Sequence, residues 1–134
     1  MKRWLLKTEP DDYNFADLLR DGRTVWDGVG NNLALKYMRL VAPGDLAFIY
    51  HTGKQKAITG IARIETEAYP DPKLADPRFV VFDITPIEAL AKPVTLATFK
   101  QLPEFAEFPL VKLSRLSAMP VQEDEWQRIL ELAS

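Results

Sequence analysis

The chain has no cysteine and a single histidine, His51. The first absence removes disulfides, thiolate metal sites and cysteine nucleophiles, and it suits a reducing compartment, so a cytoplasmic location is expected. The second removes His-rich metal centres and histidine dyads, and no metal or other cofactor is expected. Apolar runs of spanning length are missing too. The N-terminal one, Trp4-Leu5-Leu6, stops at Lys7, too short for a signal peptide or a membrane span, so no membrane partner is expected. Neither G-x-x-x-x-G-K-[ST] nor G-x-G-x-x-G occurs, which leaves nucleotide phosphates without a prepared cradle. Ser114, Ser117 and Ser134 lie in no G-x-S-x-G elbow, which argues against serine hydrolysis.

Strong net charge is also absent. The 134 residues carry a net charge of −2, which speaks against affinity won mainly by neutralising many phosphates. The distribution is uneven. Residues 1–64 hold ten Lys and Arg against seven Asp and Glu, and residues 65–134 hold seven against twelve, so any polyanion-facing surface belongs to the first half. Lys54 and Lys56, with Lys36 and Arg39, form a candidate basic rim near His51, and Arg115 lies in another polar stretch. Scattered charges of this kind are otherwise plain solvated surface. Around an aromatic pocket they would hold a nucleic-acid backbone while the pocket takes one base.

The stretch from Thr24 to Asn32 is the most distinctive one present, because Trp26 is followed closely by Gly28 and Gly30. Glycines supply no side chain to cover an indole, so one ring face is expected to stay open to a flat ligand. The alternative is a core Trp beside a glycine-rich turn. His51, at the end of an apolar strand, is a pocket handle, a general base or a satisfied interior group. The carboxylate pairs Asp11-Asp12 and Asp124-Glu125 fall in a turn and a helix start, where solvation and the helix dipole account for them.

In chain order, residues 3–7 read as a strand, closed by turn chemistry at Glu9-Pro10-Asp11-Asp12. Asn14 caps a helix that shows Phe15, Leu18 and Leu19 on one face and ends at Gly22. Asn31 or Asn32 caps a second helix with Leu33, Tyr37 and Leu40 on its apolar face. Residues 46–52 are apolar nearly throughout and form the central strand. A hairpin loop at 53–56 leads into a strand over 57–69, irregular at Gly60, where a bulge or a close backbone approach is expected. A proline-marked excursion follows, then a strand over 78–85 ended by Pro86 and a short strand over 87–90. Thr95 caps a helix over 96–102, residues 110–116 read as a strand, and 123–133 as a terminal helix with Trp126, Ile129 and Leu130 on one face. Five or six strands with short helices and no repeated strand–helix alternation predict one α+β domain over 1–134, a strongly curved sheet or small barrel flanked by helices.

Lys7-Thr8-Glu9-Pro10, Trp26-Asp27-Gly28-Val29-x-Asn31, Gly44-Asp45, Tyr50-His51-Thr52, Gly60-Ile61-Ala62 and Arg115-Leu116-Ser117-x-x-Pro120-Val121, in that order over nearly the whole chain, resemble the EVE domain family. The resemblance implies a PUA-like twisted β-barrel flanked by helices, related to the YTH domains that read methylated adenine in RNA. It implies non-enzymatic binding of a modified base in DNA or RNA, single-stranded or flipped out; the residues leave the oligomeric state open, with a monomer expected. In that picture Trp26 is a wall of the base pocket, Lys7, Thr8 and Glu9 its polar edge, and Asp27, Gly28 and Val29 its floor, with Asn31 beside them. Tyr50, His51 and Thr52 close the far side, and Arg115 and Ser117 join Lys54 and Lys56 in holding the backbone. Gly30 and Leu35 stand where the family often has Arg, and Phe79, the implied second wall, where Trp is frequent. Two other readings stay open: a binder of a small nucleoside-like molecule, and an enzyme pairing His51 with a nearby carboxylate.

Overall fold

The computed structural model describes residues Met1–Ser134. Seven strands, β1 (Arg3–Thr8), β2 (Thr24–Trp26), β3 (Leu46–His51), β4 (Ala57–Ile64), β5 (Tyr69–Pro70), β6 (Val80–Thr95) and β7 (Ala118–Val121), build one curled sheet. Its order is β2-β6-β4-β3-β1-β7, with β5 on β6. Only β1 and β3 pair in parallel. Five helices flank the sheet: α1 (Phe15–Asp21), α2 (Asn32–Met38), α3 (Leu96–Gln101), α4 (Pro109–Lys112) and α5 (Glu123–Leu132). None is long and apolar enough to cross a membrane. This curled mixed sheet with short helices is the expected α+β, PUA-like architecture.

As its apolar run requires, β3 is interior, between β1 and β4, and its Phe48 is fully buried. Phe48 stacks on Trp126 of α5 with ring centroids 3.8 Å apart. Trp4 is buried beside this strand, and its indole N–H donates to the Asp45 carboxylate at 2.9 Å. Asp45 also accepts from the backbone N–H groups of Lys2 and Ala42, both at 3.0 Å. Three donors make burial of this carboxylate tolerable.

Several expectations need correction. The strand expected over 57–69 stops at Ile64, with Tyr69 in the separate β5, and Leu19 of α1 is exposed while Phe15 and Leu18 are buried. Pro86 does not end a strand: β6 runs on through it for 16 residues, with Pro86 opposite Ala62 beside a register shift. The shift leaves Ile87 unpaired, so the missing proline N–H falls where the ladder is already broken. Residues 110–116 are not a strand, because Pro109 at the first helical position starts α4 and Leu110 is buried near the cluster of Phe99, Phe105 and Phe108. The seventh strand is β7, an edge strand that tolerates Pro120. Finally, α2 buries Ala34, Leu35 and Met38, while Leu33 and Leu40 are exposed. Both sets fit a helical period, and packing against β6 and β7 selected the one containing small Ala34.

Gly60 is where α1 meets the sheet. A Cβ at this position would stand 2.4 Å from Cε1 of Phe15, which is buried and cannot swing aside. Gly60→Ala is expected to cost about 1–3 kcal/mol of stability through overpacking. In urea unfolding it should lower the midpoint and leave the slope unchanged.

Candidate nucleobase cleft

A cavity of about 860 Å³ opens where four chain segments converge. The end of β1 and the turn after it supply Lys7, Thr8, Glu9, Asp12 and Tyr13. The approach to β2, the strand and the loop beyond it supply Arg23 through Gly30, while Lys73 and Ser117 complete the lining. The turn is self-locked: Asp12 and Tyr13 donate their N–H groups to the Glu9 carbonyl at 2.9 Å, and the Thr8 hydroxyl donates to the Tyr13 carbonyl at 2.7 Å. Glu9 is steadied by the Thr52 hydroxyl at 3.1 Å.

Of the sequence-predicted residues, the fold brings Lys7, Thr8, Glu9, Trp26, Asp27, Gly28, Val29 and Ser117 to this cleft. Trp26 does not present the open ring face foreseen for it. It is 6% exposed and belongs to the hydrophobic core, because its place on β2 opposite Phe82 turns most of the indole inward. Its indole N–H makes no hydrogen bond within the chain and is not fully excluded from solvent, and the residue lines the cleft with the small part of its surface that stays accessible.

Other predicted residues lie elsewhere. His51 is buried behind the cleft, where Nε2 accepts the Phe15 N–H at 3.0 Å and Nδ1 lies 2.8 Å from Gln55 Oε1. These partners assign the ring proton to Nδ1 and make the imidazole a cap for the first free N–H of α1. No carboxylate touches it. Tyr50 is buried, with Lys7 Nζ 5.7 Å from its ring centroid. Thr52 holds Glu9 from outside the lining. Phe79 lines a separate 140 Å³ cavity on the far side of the Gly28–Gly30 loop, beneath the Arg78 guanidinium. Asn31 caps α2 and shares an adjoining 340 Å³ groove with Arg115. Lys54 and Lys56, exposed on the β3–β4 hairpin, line neither depression.

Sequence reasoning missed Asp12, Tyr13, Arg23, Thr24, Val25, Gly30 and Lys73 as lining residues. The first two continue the Glu9 turn, and Arg23 to Val25 directly precede Trp26, so adjacency was a usable signal. Lys73 had none, since its loop is folded back by the buried Asp71, whose N–H donates to the Phe79 carbonyl.

Charges in the cleft balance: Lys7, Arg23 and Lys73 face Glu9, Asp12 and Asp27. Burial lowers the pKa of Lys7, whose Nζ donates to the Ser114 carbonyl at 3.0 Å. Arg23 donates from Nε and Nη2 to Asp83 Oδ2 at 3.1 and 2.9 Å, and the Tyr69 hydroxyl donates to Oδ1 of the same carboxylate at 2.5 Å. The Tyr69 hydrogen bond, reinforced by Arg23, holds the Asp83 carboxyl below its usual range, and the same bond pushes the Tyr69 phenol up to about 12.

A curled mixed sheet carrying a polar cleft at the end of its parallel strand pair defines a PUA-like domain. Residues 2–132 match the EVE domain family, and the chain belongs to it. Human thymocyte nuclear protein 1 is 28% identical over 163 residues, spanning 96% of this chain and 72% of the human protein. A Rhodopseudomonas palustris protein of known structure is 40% identical with a TM-score of 0.93, over 99% of this chain and 93% of its own. The human THYN1 protein, solved in complex with DNA containing 5-methylcytosine, superposes with a TM-score of 0.92 at 26% identity, over 100% of this chain and 98% of its own.

Two outcomes are expected. His51→Ala orphans the Phe15 N–H and should cost about 1–3 kcal/mol of folding stability, read by thermal or urea melts. In an alkaline titration the Tyr69 phenolate should appear near pH 12, above the ordinary 10.0. Because the folded pKa is the higher one, this contribution to stability is complete below pH 10 and is lost as pH rises toward 12. Asp83→Asn should bring the Tyr69 titration back down.

Proposed function

We propose that this cleft binds a single modified nucleobase in DNA, with 5-methylcytosine the first candidate, and performs no chemistry on it. The observation that carries the reading is similarity, over the whole of this chain, to the human THYN1 chain solved with DNA containing 5-methylcytosine. The cleft supports it chemically. Tyr13 and the accessible part of Trp26 offer aromatic contact, and Asp27 and Glu9 offer acceptors for an exocyclic amino group of the cytosine type. A paired base cannot enter such a cleft, so the ligand is single-stranded or flipped.

The backbone would continue into the groove holding Asn31 and Arg115, which meets the cleft at Gly30–Asn31 and again at Leu116–Ser117. Lys54 and Lys56 have no part in this path. Binding without turnover is the reading His51 supports: both its nitrogens are committed to Phe15 and Gln55, so it is not free to act as a base. Charge balance in the cleft favours a weak electrostatic contribution and leaves a free nucleoside as the second ligand to test.

The test compares short single-stranded DNAs with and without 5-methylcytosine. One buried methyl is worth about 0.8 kcal/mol, so preference for the methylated strand should be roughly fourfold. Tyr13→Ala should weaken binding by about 1–3 kcal/mol if the base stacks on that ring. Equal affinity for both strands would remove the modified-base reading, and tight binding of the nucleoside alone would favour a metabolite.

A further inference from the structure

The geometry points to Arg23 as a phosphate-contacting residue inside the cleft, with Asp83 and Tyr69 as positioning residues that aim its guanidinium. The inference rests on the nucleobase reading above and adds a backbone contact that neither the motif pattern nor the basic-rim argument included.

Three cations line the cleft, and only one is both held and partly free. Lys7 has its ammonium on the Ser114 carbonyl and over the Tyr50 ring, where burial already disfavours its charge. Lys73 is 80% exposed on a flexible stem, with Asp27 as its nearest charge at 3.8 Å. Arg23 is different. Its side edge, Nε and Nη2, is bound to one carboxylate oxygen of Asp83. Of the five N–H donors on a guanidinium, three remain, among them the end pair on Nη1 and Nη2, and that fork matches two oxygens of a phosphate.

The support behind Arg23 is built from several directions. Asp83 sits on β6 directly opposite Val25 of β2, so strand pairing fixes its position. Its other oxygen takes the Tyr69 hydroxyl, its N–H donates to Thr66 Oγ1 at 3.0 Å, and its carbonyl accepts from Glu65 at 2.8 Å. A carboxylate tied at this many points keeps the guanidinium plane fixed before a ligand arrives, which lowers the ordering cost of binding. Because Asp83 offsets the charge of Arg23, the contact contributes orientation more than long-range attraction.

The experiment measures the affinity of the whole protein and its variants for two probes: a short single-stranded DNA with one 5-methylcytosine, and the free nucleoside 5-methyl-2′-deoxycytidine. Arg23→Ala should weaken oligonucleotide binding about tenfold and reduce the salt slope by no more than about 0.7, the value for one phosphate on a single strand. Nucleoside affinity should stay within about twofold, since the nucleoside has no phosphate. Arg23→Lys, which keeps the Asp83 ion pair and guards against misfolding, should lose most of the same affinity because it lacks the fork. Asp83→Asn and Tyr69→Phe should show smaller losses for the oligonucleotide alone, a split that a purely structural role would not produce. Equal loss for both probes in Arg23→Ala, or no loss for either, overturns the assignment. If the unaltered protein binds neither probe, the nucleobase reading itself falls, before any variant is compared.

Discussion

The approach of Phe15 to Gly60 is the constraint from which the cleft follows. The ring lies where a Cβ would stand, so α1 rests directly on the β4 backbone and cannot shift without opening a void. His51, one strand over, completes the junction by taking the N–H of the same residue. With the start of α1 pinned at both ring and backbone, the turn from Glu9 to Tyr13 is held against the end of β1. That turn is one side of the cleft. The lone histidine thus acts as a joint, and its two nitrogens are saturated by that role.

The opposite side depends on β6. Its 16 residues reach from β2 at one end to the β4 hairpin at the other, bending at two irregularities instead of stopping at Pro86. This length carries Asp83 to the back of Arg23 and Phe82 to the back of Trp26. The same strand therefore buries the indole and orients the guanidinium. Burial of Trp26 changes what it can offer a ligand, since most of the indole is committed to the core.

Electrostatics in the cleft are local. Three cations and three carboxylates leave little net field, in keeping with an acidic chain of pI near 5.4. A ligand is then selected by fixed hydrogen-bonding groups more than by bulk attraction, and placement matters more than count.

Much of this was legible in the residues. Asn14, Asn31 and Thr95 announced their helices because a capping side chain acts on neighbours two or three positions away. Near-continuous apolar character over 46–52 marked the central strand, and the isolated Gly60 marked a bulge or a close approach, of which the structure has both. Trp26, Thr8, Glu9 and Gly28, singled out by the motif pattern, all line the cleft. Tertiary structure alone decided the face of α2, the course of β6 past Pro86, the helix at Pro109 and the inward turn of Trp26, for in each the local pattern allowed two outcomes and distant packing chose one. The place of Lys73 in the lining and the contact of Arg23 with the Tyr69–Asp83 pair belong to the same class: they join residues tens of positions apart, and no short-range pattern encodes them.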